Sequence, residues 1–183
     1  LMSKSKSAYS IPGKKGKLDT HIIVVWVDNE AGVLARVVGL FSGRGYNIES
    51  LAVAEVDAKN NISRITIVTT GTPQVIDQIK LQLKKLVPVH KVADFKREDK
   101  QVIFKEMALF KLVSNISKRN KAFNACKRFN AVILDKSNKS CVIQVTALRR
   151  EIDKMSKDLK KFGLVSVSRT GAVAMTRGAE IFK

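Results

Sequence analysis

Apolar residues in the first half of the chain repeat with two alternating periods. The run HIIVVWV at 21–27 is continuous and rich in β-branched residues, which is typical of a strand buried on both faces. The apolar residues that follow have the spacing of one helix face; they are Leu34, Val37, Val38 and Phe41. The sequence GRG at 43–45 ends this pattern, so residues 21–45 predict a strand followed by a helix.

Three strands and one helix are predicted for the rest of this half. YNIESLAVAEV and ISRITIVTT predict two strands joined by a polar turn. A second helix begins in GTPQVIDQIKLQLKKL, with Thr72 as its N-cap and Pro73 at its first position. VPVHKVADF then predicts a fourth strand. The order βαββαβ over residues 21–97 predicts an α+β, ferredoxin-like domain with both helices on one face of the sheet.

The second half repeats this order with different residues. VIFKEMALFKLV predicts a strand, and residues 116–129 predict a lysine-rich helix with Ile116, Phe123 and Phe129 on its apolar side. AVILD and CVIQVTAL predict a hairpin, a further helix ends at Gly163, and LVSVSRTGAVAMTRG predicts one last strand. We therefore predict a second ferredoxin-like domain over residues 98–183, and we place residues 1–20 outside the fold as a basic, disordered tail.

The net charge of +18 is unusual, and residues 98–183 carry +11 of it. A charge of this size is compatible with a nucleic-acid partner. However, an RNA-binding βαββαβ domain stacks bases on aromatic residues of its central strands, and ISRITIVTT contains none. No apolar run approaches the roughly 20 residues that span a bilayer. We therefore expect neither nucleic acid nor a membrane as the partner.

The cysteines and histidines indicate neither a metal site nor a nucleophile. Cys126 and Cys141 lie in no metal-ligand motif, and two scattered cysteines fit buried apolar positions in a reducing compartment. His21 and His90 stand alone in strand-like sequence. We predict no catalytic residue and no metal ligand. The lysine- and serine-rich start of the chain fits either the remnant of an organelle transit peptide or a disordered tail.

The segment VDNEAGVLARVVGLFSGRGYNIES at 27–50 holds the candidate binding residues. A phosphate loop needs glycines between the strand and the helix N-terminus, but Gly39, Gly43 and Gly45 lie within or after the helix. Gly32 instead lies where the helix begins, and a residue without Cβ lets a ligand approach the backbone. The N–H groups of Gly32, Val33 and Leu34 would then suit one carboxylate.

Two asparagines flank this turn in the sequence. Asn29 precedes it and Asn47 starts the next strand, and we expect their amides to lie side by side at the sheet edge. Each amide offers a donor and an acceptor, which suits an ammonium and a carboxylate on one small molecule. Val33, Leu34 and Ile48 would add an apolar wall. The residues thus favour a pocket for a small apolar amino acid, although each is also an ordinary cap or turn residue when taken alone.

These segments resemble a known family. NEAGVLARVVGLFSGRGYNIESLAV, ISRITIVTTG and QIKLQLKKLVPVHKV resemble the ACT domain of acetohydroxyacid synthase (acetolactate synthase) regulatory small subunits. KEMALFKL, FNAVILDKS and LKKFGLVSVSRTGAVAMTRG resemble the C-terminal domain of the same subunits. The resemblance covers residues 20–178.

The resemblance implies a non-catalytic subunit that activates a thiamine-diphosphate-dependent catalytic subunit and makes it sensitive to feedback inhibition by valine. Thiamine diphosphate, Mg²⁺ and FAD would belong only to the catalytic partner. The chain would form a homodimer through its ACT domains, with the amino acid bound between two protomers, in bacterial cytoplasm or plastid stroma. The effector-binding residues carried over to this sequence are Asn29, Gly32, Val33, Leu34, Asn47 and Ile48.

Two other functions stay open at this point. One is a stand-alone amino-acid sensor that controls another protein or RNA through its basic half, and the other is an enzyme in its own right. The sequence also departs from the family in two places. Ala31 stands where many members have proline, and residues 116–129 are far more basic than usual. We hypothesise that this helix faces an acidic surface of the catalytic partner; its basic residues are Lys118, Arg119, Lys121, Lys127 and Arg128.

Overall fold

A computed structural model describes residues 17–97 and 99–179. These residues divide into two compact units, the first ending at Val102 and the second spanning Ile103–Ala179, whereas the sequence predicts the boundary at 97/98. The first strand begins at Asp19, so the last two residues of the predicted tail belong to the fold. The tail before residue 17 lies outside the described residues. No helix in the described part of the chain is both long and apolar enough to cross a membrane.

The first unit is a four-stranded antiparallel sheet with two helices. Its elements are β1 (Asp19–Asp28), α1 (Val33–Ser42), β2 (Ser50–Asp57), β3 (Ile62–Gly71), α2 (Pro73–Leu83) and β4 (Val89–Lys96). The strand order is β2-β3-β1-β4, with every neighbouring pair antiparallel. This is the predicted ferredoxin-like βαββαβ arrangement. One strand is shorter than predicted, because residues 46–49 precede β2 and are not part of it.

The core of the first unit lies between the sheet and its two helices. Alternate residues of β1 face the helices, and Ile23 and Val25 are completely buried there. Helix α1 contributes Val37 and Phe41, and α2 contributes Ile79, all fully buried. Helix α2 starts as the sequence predicts, because the Thr72 side chain accepts a hydrogen bond from the Val75 N–H at 3.4 Å and Pro73 is the first helical residue.

The second unit repeats the strand order with one addition. Its elements are β5 (Val102–Val113), α3 (Ile116–Cys126) with a 3₁₀ turn (Lys127–Phe129), β6 (Val132–Lys136), β7 (Ser140–Ala147), α4 (Arg149–Asp158) with a 3₁₀ turn (Leu159–Phe162), β8 (Leu164–Arg169) and β9 (Val173–Thr176). The order β6-β7-β5-β8 matches that of the first unit, and β9 pairs separately with β5. Both domains therefore have the predicted fold class.

Two predictions for the second unit are wrong. The single last strand is in fact β8 and β9, because Gly171 adopts a positive φ of 81° and turns the chain between them. The apolar side predicted for α3 is wrong at Ile116, which is 59% exposed, whereas Phe123 and Phe129 pack against the core of the second unit as predicted. The buried residues of this helix are Arg119, Ala122 and Cys126. Both cysteines are free and buried, which confirms their prediction as apolar core residues.

Candidate functional site

The turn from β1 to α1 exposes backbone at its glycine. Gly32 has φ 84° and ψ −8°, in the left-handed region that favours glycine. Its carbonyl accepts the first helical hydrogen bond, from the Arg36 N–H at 3.0 Å. A Cβ added to Gly32 would have no atom within 4 Å. The glycine is therefore required by the backbone conformation, and the space beside it is open to a ligand.

The N-terminus of α1 offers fewer N–H groups than the sequence predicts. The Val33 N–H points to the Glu30 carbonyl at 3.4 Å, in a weak turn bond. Within the described residues, no backbone acceptor lies in hydrogen-bond range of the N–H groups of Gly32 and Leu34. These two donors lie at the positive end of the helix, which favours an anion.

Only part of the predicted apolar wall is available to a ligand. Leu34 is 41% exposed beside the open turn. Ile48 is half-buried and packs against the core of the first unit. Val33 is buried in that core, so only its backbone lies at the site. The predicted contribution of the Val33 side chain is therefore wrong, because the first turn of α1 directs it toward the sheet.

The Asn29 amide lies in a row of polar side chains across three strands. The Ser63 hydroxyl donates to Asn29 Oδ1 at 3.0 Å, and Asn29 Nδ2 donates to Glu55 Oε1 at 3.3 Å. The Asn29 main chain is held by Asn61, whose carbonyl accepts the Asn29 N–H at 2.7 Å. Ser63 and Glu55 were not among the sequence candidates. Only the register of β2 on β3, which pairs Glu55 with Ser63, brings them to Asn29.

Asn47 lies at the opposite end of the same sheet. Its carbonyl accepts a hydrogen bond from the Thr69 hydroxyl at 2.7 Å. Ser63 and Thr69 are six residues apart on β3, so about 20 Å of strand separates Asn47 from Asn29. The expectation that the two amides lie side by side is wrong for a single chain. The reason is topological: β1 and β2 run parallel on either side of β3, so the end of one and the start of the other are far apart.

The six predicted residues thus form two half-sites. The first half-site contains Asn29, Gly32, Val33 and Leu34, and the second half-site contains Asn47 and Ile48. Strand β2 runs between them at an edge of the sheet. Two apolar residues of this strand, Val53 and Val56, are 44% and 53% exposed. An edge strand with exposed apolar residues is a surface on which another strand can dock.

The basic helix of the second unit is partly structural. The Arg119 side chain is buried and donates to three carbonyls of the β6–β7 turn: Nη1 to Ser137 and Ser140, both at 2.6 Å, and Nη2 to Asn138 at 2.9 Å. Arg119 therefore cannot face a partner, and its place in the charged-surface hypothesis is wrong. Lys118, Lys121, Lys127 and Arg128 are exposed.

The described residues contain no group of three or more His, Cys, Asp and Glu side chains placed to hold a metal ion. The two histidines instead pair with aspartates: His21 Nδ1 lies 2.7 Å from Asp94 Oδ1, and His90 Nε2 lies 2.5 Å from Asp28 Oδ1. Each pair ties β1 to β4. These two pairs thus support the sheet.

The βαββαβ sheet of the first unit, with a glycine turn at the start of its first helix, is the arrangement expected of an ACT domain. A family model described as the AHAS small subunit-like ACT domain matches residues 23–91, and a model described as the small subunit of acetolactate synthase matches residues 105–178. The acetolactate synthase small subunit of Aquifex aeolicus is 40% identical over 169 residues, covering 92% of this chain and 86% of that protein.

Two further comparisons agree. The acetolactate synthase small subunit of Mycobacterium bovis is 36% identical over 159 residues, covering 87% of this chain and 93% of that protein. The crystal structure of an acetolactate synthase small subunit from Thermotoga maritima superposes with a TM-score of 0.79 at 31% identity, covering 88% of this chain and 99% of that one. The chain belongs to the family of acetolactate synthase regulatory small subunits.

Proposed function

We propose that this chain activates an acetolactate synthase catalytic subunit and binds valine as a feedback inhibitor in a pocket formed by two copies of the chain. The thiamine diphosphate, Mg²⁺ and FAD of the reaction would be held by the catalytic subunit. Cys126 and Cys141, both free and buried, support a reducing compartment such as bacterial cytoplasm or plastid stroma.

The separation of the two half-sites is the observation that carries the two-copy pocket. A two-fold axis near the middle of β2 would pair this strand antiparallel with its copy. The start of β2 in one protomer then lies beside the end of β2 in its partner. Asn47 and Ile48 of one copy would therefore meet Asn29, Gly32 and Leu34 of the other, and each dimer would hold two equivalent pockets.

The chemistry of the joined half-sites suits a small branched amino acid. The Gly32 and Leu34 N–H groups and the helix dipole favour its carboxylate. The Leu34 and Ile48 side chains offer apolar surface to a branched side chain, and Asn47 adds a neutral amide donor and acceptor. A pocket completed by two protomers also links effector binding to the arrangement of the protomers.

Inhibition follows from linkage between this pocket and the catalytic subunit. If valine binds more tightly to the conformation of the complex that supports less activity, it shifts the population toward that conformation. A coupling of about 1–3 kcal/mol changes affinity by roughly 5–150-fold. No catalytic group of this chain takes part, so we expect no condensation of pyruvate by the chain alone and an increased rate when it is added to the catalytic subunit.

Mixing two inactive variants tests the two-copy pocket. We expect Asn29→Ala and Asn47→Ala each to abolish valine binding in calorimetric titration, and to leave activation of the catalytic subunit largely intact. After the two variants are unfolded together and refolded, half of the dimers pair one chain of each kind. Each mixed dimer contains one pocket with both asparagines, so about a quarter of the wild-type sites should return.

Each variant refolded alone is the control and should recover no site. If the mixture binds no valine while it contains mixed dimers, the pocket does not join two copies. If wild-type chain binds no valine at all, the proposed effector is wrong. Activation in the absence of binding would then leave only the activating role.

A further inference from the structure

Four carboxylates lie near Asn29, and they differ in their partners. Asp28 pairs with His90, and Asp57 holds the Asn60 side chain and main chain at 2.8 and 3.1 Å. Glu30 follows Asn29 in the sequence and contributes its main-chain carbonyl to the turn. Glu55 is the carboxylate that contacts the first half-site, because its Oε1 accepts the Asn29 Nδ2–H at 3.3 Å.

Glu55 also lies where the second half-site would arrive. It is exposed and stands near the end of the edge strand β2, two residues before Asp57. In the antiparallel dimer of β2 the end of one strand lies beside the start of its copy, which carries Asn47. The second carboxylate oxygen, Oε2, can therefore face a ligand held between the half-sites while Oε1 keeps its bond to Asn29.

The other groups of the pocket bind an ammonium less strongly than a carboxylate would. The helix N-terminus is positive and repels a cation. The Asn29 Oδ1 already accepts one hydrogen bond from Ser63, and the amide oxygens of Asn29 and Asn47 are neutral acceptors. An ammonium leaving water needs acceptors, and a charge-assisted hydrogen bond to a carboxylate is about twice as strong as a neutral one.

We propose that Glu55 determines specificity by binding the ammonium group of the effector. The pocket would then select an α-amino acid over a carboxylic acid of the same shape that lacks the amine. This inference rests on the proposed function. It adds that the pocket distinguishes valine from compounds that have the same branched chain but no amine. The carboxylate end of the effector would be held at Gly32 and the ammonium at Glu55.

Two glutamine variants of the full chain test this assignment. Glu55→Gln removes the charge but keeps an oxygen that can accept from Asn29, so the first half-site stays in place. Glu30→Gln is the matched control. It removes one negative charge close to Asn29, at a residue whose side chain makes no hydrogen bond to Asn29 among the described contacts. Calorimetry would measure the affinity of each chain for L-valine and for isovalerate, which keeps the carboxylate and the branched chain but has no amine.

We expect Glu55→Gln to weaken L-valine binding by about tenfold or more, the usual contribution of a hydrogen bond to a charged group. Isovalerate should bind Glu55→Gln at least as well as wild type, and Glu30→Gln should bind valine within about twofold of wild type. Valine affinity that is unchanged in Glu55→Gln, or lowered equally in both variants, would overturn the assignment and leave the proposed function standing. Absence of valine binding in wild type would instead reject the proposed effector.

Discussion

Replacing Arg119 tests whether its charge stabilises the fold, in contrast to the exposed basic residues beside it. The Arg119 guanidinium makes three hydrogen bonds to carbonyls of the β6–β7 turn, at 2.6, 2.6 and 2.9 Å. The residue is only 4% exposed. Arg119→Met keeps the aliphatic stem and removes all three bonds. Lys118→Met, one residue earlier on the exposed face, makes the same change in net charge and touches no carbonyl of this turn.

The expected loss follows from the contacts of the guanidinium. A hydrogen bond to a charged group contributes about 1.5–3 kcal/mol when it is buried. The freed carbonyls belong to residues of a surface turn, where water can replace part of each bond, so we expect Arg119→Met to cost about 3 kcal/mol in total. Lys118→Met should change the free energy of unfolding by less than about 0.5 kcal/mol, because an exposed lysine makes few lasting contacts.

Urea unfolding with peptide-resolved hydrogen exchange would measure both variants. Peptides from β6 and β7 report on the second unit separately from the first. If Arg119→Met is within about 0.5 kcal/mol of Lys118→Met, the guanidinium does not hold the turn and the structural assignment is refuted. If it is destabilised as expected, Lys118, Lys121, Lys127 and Arg128 remain as the surface charges whose removal should weaken assembly with the catalytic subunit in a salt-dependent way.

The remaining predictions concern Gly32 and Cys126. Gly32→Val should abolish valine binding in calorimetry, because its side chain would block the exposed N–H groups, and the positive φ should cost about 1–2 kcal/mol of stability. Gly39→Val on the same helix is the control and should bind valine normally. Normal binding by Gly32→Val would contradict the site. Burial raises the pKa of the Cys126 thiol from 9.0 to about 11. The unfolded chain therefore loses this proton first, and the free energy of unfolding should fall by about 2 kcal/mol between pH 9 and pH 11. Urea titrations across this range should show a shallower fall for Cys126→Ala, and equal slopes would contradict the burial argument.

The local pattern of the sequence predicted most of the fold. The helix of Thr72 and Pro73 starts where its cap chemistry requires, and Gly163 ends the last helix with a φ of 92°. These features depend on residues within a few positions of one another, so periodicity and capping rules reach them. The second strand was predicted to start too early. Tyr46 and Ile48 continue the apolar pattern of the strand, but residues 46–49 lie before the first pair of the ladder, Ser50 with Val68.

The composition of helix α3 misled the sequence analysis. A run of lysines and arginines predicts a solvated face, and four of the five basic residues at 116–129 are exposed. Arg119 is the exception because a turn 18 residues further along folds back over it and presents three carbonyls. No local rule predicts that partner, since it depends on how the β6–β7 hairpin packs against the helix.

The sequence by itself determined the βαββαβ order of both domains and the glycine turn at the start of α1, because these depend on local spacing and backbone preference. Tertiary structure alone decided which residues meet. It placed β3 between β1 and β2, and so separated Asn29 from Asn47 and brought Glu55 to Asn29. Strand pairing joins residues that are distant in the chain, and register is a property of the whole sheet, so neither is encoded in any short stretch of sequence.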